Sequence, residues 1–199
     1  IPLALSARWT AMAWALEGLG ILWLGVQQHQ RRMSYSGTAL LVLALGSALW
    51  AQTDGVTSLS LLLIFAILSL CWLAAAWLWR TLFLPVSWAL LAGGLLFWLV
   101  AQLGASQLIL TKELPVLAGV LALTAASVWG WQQVAARLAW RELDASKWLL
   151  WPVMLLMVGY QIWHQQIVAA GWSNLAWCVA LPTALMLLRR DGERVLPRI

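Results

Sequence analysis

The chain has 199 residues, of which 63% are hydrophobic and 10% charged, with a mean hydropathy of +0.85. A soluble domain carries roughly a quarter charged residues and has to cover itself with polar groups; twelve basic and seven acidic side chains are too few for that. Disordered, fibrous and disulfide-stapled classes are excluded as well, because apolar content is high, glycine has no period and there are only two cysteines. An integral membrane protein remains.

A helix needs about 20 largely apolar residues to cross roughly 30 Å of hydrocarbon, so gaps between charges mark the passes. Trp9 to Gln30 is interrupted only by Glu17, while Met33 to Thr53, Gly55 to Trp79, Thr81 to Thr111 and Leu114 to Ala136 carry no charge. The uncharged run from Trp148 to Leu188 is too long for one pass and is broken by the polar and small stretch His164 to Asn174, so it reads as two. The expectation is an all-α, polytopic transmembrane bundle of about seven spans, near residues 8–27, 36–52, 58–79, 82–103, 114–135, 148–167 and 173–188. Continuous apolar runs favour helices over barrel strands, which alternate lipid-facing and lumen-facing side chains. A start at Ile1 and Pro2, without an initiator Met, suggests a piece of a longer polypeptide.

Basic residues are retained on the cytoplasmic side of a membrane. The loops after spans 1, 3, 5 and 7 would share one side and hold Arg31, Arg32, Arg80, Arg137, Arg141, Lys147, Arg189, Arg190, Arg194 and Arg198, leaving Arg8 and Lys112 on the other. This bias predicts an outside N-terminus and a cytoplasmic C-terminus. It also accounts for the net charge of +5, so no nucleic-acid partner is expected. Membrane lipids are the expected partners, with the arginines from Arg189 onward touching anionic headgroups.

Seventeen tryptophans are the compositional oddity. Trp23, Trp77, Trp79, Trp140 and Trp148 fit an inner headgroup belt, and Trp9, Trp50, Trp98, Trp172 and Trp177 an outer one. The deeper ones offer a stacking groove for sugar or lipid as a lesser alternative.

Glu17 stands midway between Arg8 and Gln27, near the bilayer centre. An ionised residue there costs roughly 2.5–3.5 kcal/mol on insertion scales, so it should be protonated, face the bundle interior or find a partner. It shares a helical face with Thr10, Ala13, Trp14, Gly20 and Leu24, a strip suited to close helix contact. Its two readings are an interhelical hydrogen bond and a ligand or proton site. A second polar set, Tyr160, Gln161, His164 and Gln165, lies near the outer end of span 6, with Gln161, His164 and Gln165 on one face. It reads as a wet helix end or as a headgroup- or sugar-binding mouth, with Ser173, Asn174 and the loop residues Gln102, Ser106 and Gln107 as possible additions.

Other chemistry is not supported. His29 and His164 fall on opposite sides, so no metal site is expected; Cys71 and Cys178 read as small core residues. No phosphate loop, dinucleotide fingerprint or nucleophile elbow appears, and no cofactor is expected. Gly93-Gly94 reads as a close-packing point or kink. The stretch Arg137 to Lys147 looks like a short interfacial helix, with Asp144 or Ser146 capping span 6. Trp14-Ala15-Leu16-Glu17-Gly18 is weakly echoed by Trp88-Ala89-Leu90-Leu91-Ala92-Gly93, a pattern that inverted transporter repeats can produce.

The segment Trp14-Ala15-Leu16-Glu17-Gly18, continuing through Leu22-Trp23-Leu24-Gly25 to Arg31-Arg32, resembles the family of multi-span bacterial membrane proteins catalogued as domain of unknown function 2339; so does Leu181-Pro182 in the last span. The resemblance implies a C-terminal portion of a long chain of tandem spans in a bacterial inner membrane, and it brings no reaction with it. The expected function is a non-enzymatic transport or envelope-assembly domain using Glu17, with other spans of the longer chain or a partner membrane protein as neighbours. The alternatives are a membrane-embedded enzyme acting on a lipid-linked or cell-surface substrate at the periplasmic side, and a scaffold for a partner protein.

Overall fold

The computed structural model describes residues 7–53, 57–110, 113–163 and 174–195. They form seven α-helices: α1 (Ala7–Gln27), α2 (Arg31–Ala51), α3 (Ser58–Trp79), α4 (Leu84–Ile109), α5 (Glu113–Arg137), α6 (Leu150–Trp163) and α7 (Asn174–Val195). A 3₁₀ helix, Glu142–Leu149, precedes α6, and no strand occurs among the described residues. The first five α-helices are long and apolar enough to cross a membrane. Helix α6 has 14 residues, and the last turns of α7 carry Arg189, Arg190, Asp191 and Glu193, which shortens its apolar part.

The expected span 58–79 coincides with α3. A capping box starts this helix: the Thr57 hydroxyl accepts from the Ser60 N–H at 3.2 Å, and the Thr57 N–H donates to the Ser60 hydroxyl at 3.2 Å. Helix α2 begins at Arg31, five residues before the expected 36, and α7 runs to Val195, seven beyond the expected 188, so Arg31, Arg32, Arg189, Arg190 and Arg194 are helical and not in loops. Two further differences are of another kind. Helix α4 continues to Ile109, so Gln102, Ser106 and Gln107 are helical and not in a loop; no proline lies between Ala101 and Ile109, Gly104 is kept helical by its close packing on the Leu62 backbone, and hydropathy alone does not end a helix. The stretch expected as an interfacial helix is instead the end of α5, a turn, and a 3₁₀ helix that begins at Glu142.

The described residues fall into two compact units, divided between Ala105 and Ser106. In the first, α1 and α2 pack along small residues. Ala11, Ala15, Gly18, Leu22 and Gly25 of α1 are buried, as are Ser34, Gly37, Leu41, Ala44 and Ala48 of α2. A Cβ built on Gly37 would lie 2.5 Å from the Leu22 backbone nitrogen, and one on Gly25 would lie 2.6 Å from that of Ser34. Backbone meets backbone here, as dispersion-driven helix pairing in lipid requires. The Trp79 indole N–H donates to the Thr38 hydroxyl at 2.9 Å, tying α3 to α2. Ser69 donates to the Gly94 carbonyl and Ser87 to the Ala76 carbonyl, each at 2.7 Å, tying α3 to α4. The Gly93-Gly94 pair is a close-packing point, since a Cβ on Gly93 would meet the Trp72 ring at 2.5 Å. That ring stands edge-on to Phe97, with centroids 4.9 Å apart.

In the second unit α5 packs against α6, α7 and the 3₁₀ helix. Helix α5 ends in a Schellman-type turn: the Trp140 N–H reaches the Ala135 carbonyl at 2.9 Å while Ala139 takes φ 49. Helix α1 ends the same way, with the Gln30 N–H on the Gly25 carbonyl at 2.9 Å and His29 at φ 55. Helix α7 runs through Pro182, whose missing N–H leaves the Cys178 carbonyl without its helical donor.

Candidate functional site

Helix α1 positions Glu17 on its outer surface. The carboxylate is exposed and does not face the bundle interior. Adjacent helical residues point about 100° apart, so the approach of α2 at Gly18 turns Glu17 away. The sequence offers two small-residue strips on this helix, and the one through Ala11, Ala15, Gly18 and Gly25 makes the contact. The other leaves Glu17, Gly20 and Leu24 exposed and Ala13 half-buried, although Thr10 at its head is buried. A Cβ added to Gly20 would meet nothing within 4 Å.

The second predicted set is divided. Gln161 is 2% exposed and lies on the inward face of α6 with Leu150, Val153 and Met157; its carbonyl oxygen has no hydrogen-bond partner. Tyr160 instead lines an apolar groove between α5 and α6, with Leu117, Pro152, Leu156, Gly159 and Trp163, enclosing about 800 Å³. His164, Gln165 and Ser173 lie outside the described residues, as does Trp172. Asn174 opens α7 with a buried side-chain oxygen that lacks a partner. Gln102 and Ser106 are buried on one face of α4, while Gln107 is exposed.

A third site was not anticipated. A cleft of about 600 Å³ is lined by Gln132 and Ala135 of α5, Trp140 and Arg141 of the following turn, Asp144 of the 3₁₀ helix and Arg190 of α7. The buried Gln132 amide donates to the Asp144 carbonyl at 3.1 Å and to the Ser146 hydroxyl at 3.4 Å. Asp144 and Ser146 thus fasten the 3₁₀ helix to α5, and α6 begins only at Leu150. The Lys147 ammonium is 3.2 Å from the Asp144 carboxylate. In the sequence Gln132 is a polar residue at a span end, and nothing announces that the chain returns to it fourteen residues later.

The tryptophans divide by whether the ring finds a place inside. Trp9, Trp23, Trp50, Trp77 and Trp148 are exposed, whereas Trp98 and Trp177, expected in the outer belt, are half-buried with their indole nitrogens inside. Trp79 and Trp140, expected in the inner belt, are buried, the first because Thr38 accepts its N–H and the second because the Schellman turn folds it inward. Cys71 is buried and Cys178 exposed; both are free, so the core reading fails for Cys178. No group of three or more metal-binding side chains converges among the described residues. No protein-family model, curated protein or solved structure matches the chain.

Proposed function

We propose that this chain is a seven-span domain of a bacterial inner membrane, with its N-terminus outside and its C-terminus cytoplasmic, that acts without chemistry of its own by assembling with another transmembrane segment. The observation that carries the reading is the exposed Glu17 in the middle of a 21-residue apolar helix. Left facing lipid, that carboxylate would be disfavoured by roughly 2.5–3.5 kcal/mol. A hydrogen-bond donor from a neighbouring helix removes the penalty, and Ala13 and Gly20, one turn to either side, allow that helix to come close. The neighbour is a further span of the longer chain or a partner membrane protein. The likeness of the Trp14 to Gly18 segment to domain of unknown function 2339, whose members are long chains of tandem spans, supports the first.

A photo-crosslinking residue at Gly20, in the full chain in its native membrane, tests this. A crosslink to one defined protein segment, within the longer chain or in a single partner, is expected at that position and not at Leu43, which is exposed on α2. It should persist in Glu17→Gln, which keeps the hydrogen bond, and vanish in Glu17→Leu. Lipid adducts alone, or a crosslink indifferent to Glu17→Leu, would refute the assembly role.

The apolar groove beside Tyr160 favours a second reading, in which the domain holds the acyl part of a lipid-linked substrate for an enzyme. Its lining residues are almost wholly apolar and include no nucleophile with an adjacent base.

A further inference from the structure

We propose that the cleft formed by the end of α5, the turn after it and the end of α7 binds the phosphate group of an anionic ligand, with Arg141 and Arg190 as its cationic walls. Charge comes first. Both arginines are exposed, and neither is in an ion pair among the residues whose side chains are described. The acidic group in the lining, Asp144, is engaged by Lys147 at 3.2 Å. The cleft therefore carries a surplus of positive charge, and guanidinium forks match phosphate oxygens two at a time.

The walls are also built in advance. Gln132, 4% exposed, holds the 3₁₀ helix against α5 through its two hydrogen bonds. Ala139 takes φ 49, a backbone region that alanine disfavours, and this turn sends Trp140 inward and leaves Arg141 exposed on the cleft. Strain of this kind persists where the surrounding structure enforces it. The unspent donor is Trp140, 5% exposed, whose indole N–H is buried without a partner.

Two sources could supply the phosphate, a lipid headgroup or a free anion. The surroundings favour the lipid. Leu138, one residue before the strained turn, Trp148 and Leu188 are all exposed. A polar cleft beside exposed apolar side chains suits a ligand with a charged head and an oily tail, and all the cationic residues invoked lie in segments that the arginine bias assigns to the cytoplasmic leaflet. The inference is independent of the docking role of Glu17.

Native mass spectrometry of the full chain, released from nanodiscs of phosphatidylglycerol and phosphatidylcholine in equal amounts, tests it. Phosphatidylglycerol is expected to remain bound in excess. Arg141→Gln and Arg190→Gln should each lower that excess roughly fivefold, and together more than tenfold, from the usual contribution of a surface cation. Arg31→Gln with Arg32→Gln, the same charge change at the start of α2, should leave it intact. If inorganic phosphate in excess strips the lipid, the phosphate alone is recognised; if it does not, the headgroup is held together with its chain. Equal retention of the two lipids, or equal loss in the Arg31/Arg32 control, would overturn the proposal.

Discussion

The two units of this chain solve the same problem with opposite means. In the first, α1 and α2 approach through missing side chains: Gly18, Gly25 and Gly37 let backbones touch. In the second, the end of α5 holds its partner through a long polar side chain, Gln132, and its bonds to Asp144 and Ser146. Hydrocarbon explains the difference. Lipid gives helices no hydrophobic reason to associate, so close dispersion contact has to suffice in mid-span, whereas a polar side chain is tolerable near a span end, where water and headgroups are at hand.

The sharpest break in this comparison comes at Gly37. Gly37→Ala forces a methyl group into the α1 backbone and is expected to lower stability by about 2–3 kcal/mol. Gly46→Ala on the same helix, where an added Cβ meets nothing within 4 Å, should be neutral or slightly stabilising. Thermal unfolding in detergent reads both; equal effects would mean that the glycine contacts do not hold the hairpin. In the second unit, Gln132→Ala should remove about 2 kcal/mol by stranding the groups it bonds. The same change at the exposed Gln133 should stay within about 0.5 kcal/mol. The smallest effect has the opposite sign. Ala139→Gly relieves the left-handed backbone and should raise stability by about 1 kcal/mol, and an observed loss would contradict the strained turn.

The positions of the helices along the chain were legible in the sequence and direction around the helix axis was not. Charge gaps located the helices, and α3 matched to the residue because Thr57 and Ser60 cap one end and Arg80 follows the other. Glu17 stands at the middle of α1, as counting along the sequence leads one to expect. Such counting could not say which side of α1 meets α2, because small residues occupy both the strip through Ala13 and Gly20 and the strip through Ala15 and Gly18. Helix α4 outran its expected end because Gln102, Ser106 and Gln107 are polar without being helix breakers. The cleft was illegible for another reason. Gln132, Arg141 and Arg190 meet only through a turn whose left-handed residue is an alanine, where a reader looks for glycine.

The central claim is that the chain threads a membrane with its arginine-rich connections on one side, and labelling of single cysteines tests it most directly. With Cys71 and Cys178 replaced, Thr53→Cys, in the exposed turn after α2, and Arg141→Cys, at the rim of the cleft, are treated with a membrane-impermeant maleimide in intact cells. Thr53→Cys should be labelled at once and Arg141→Cys only after the cells are opened. Labelling of both from the same compartment would contradict the account.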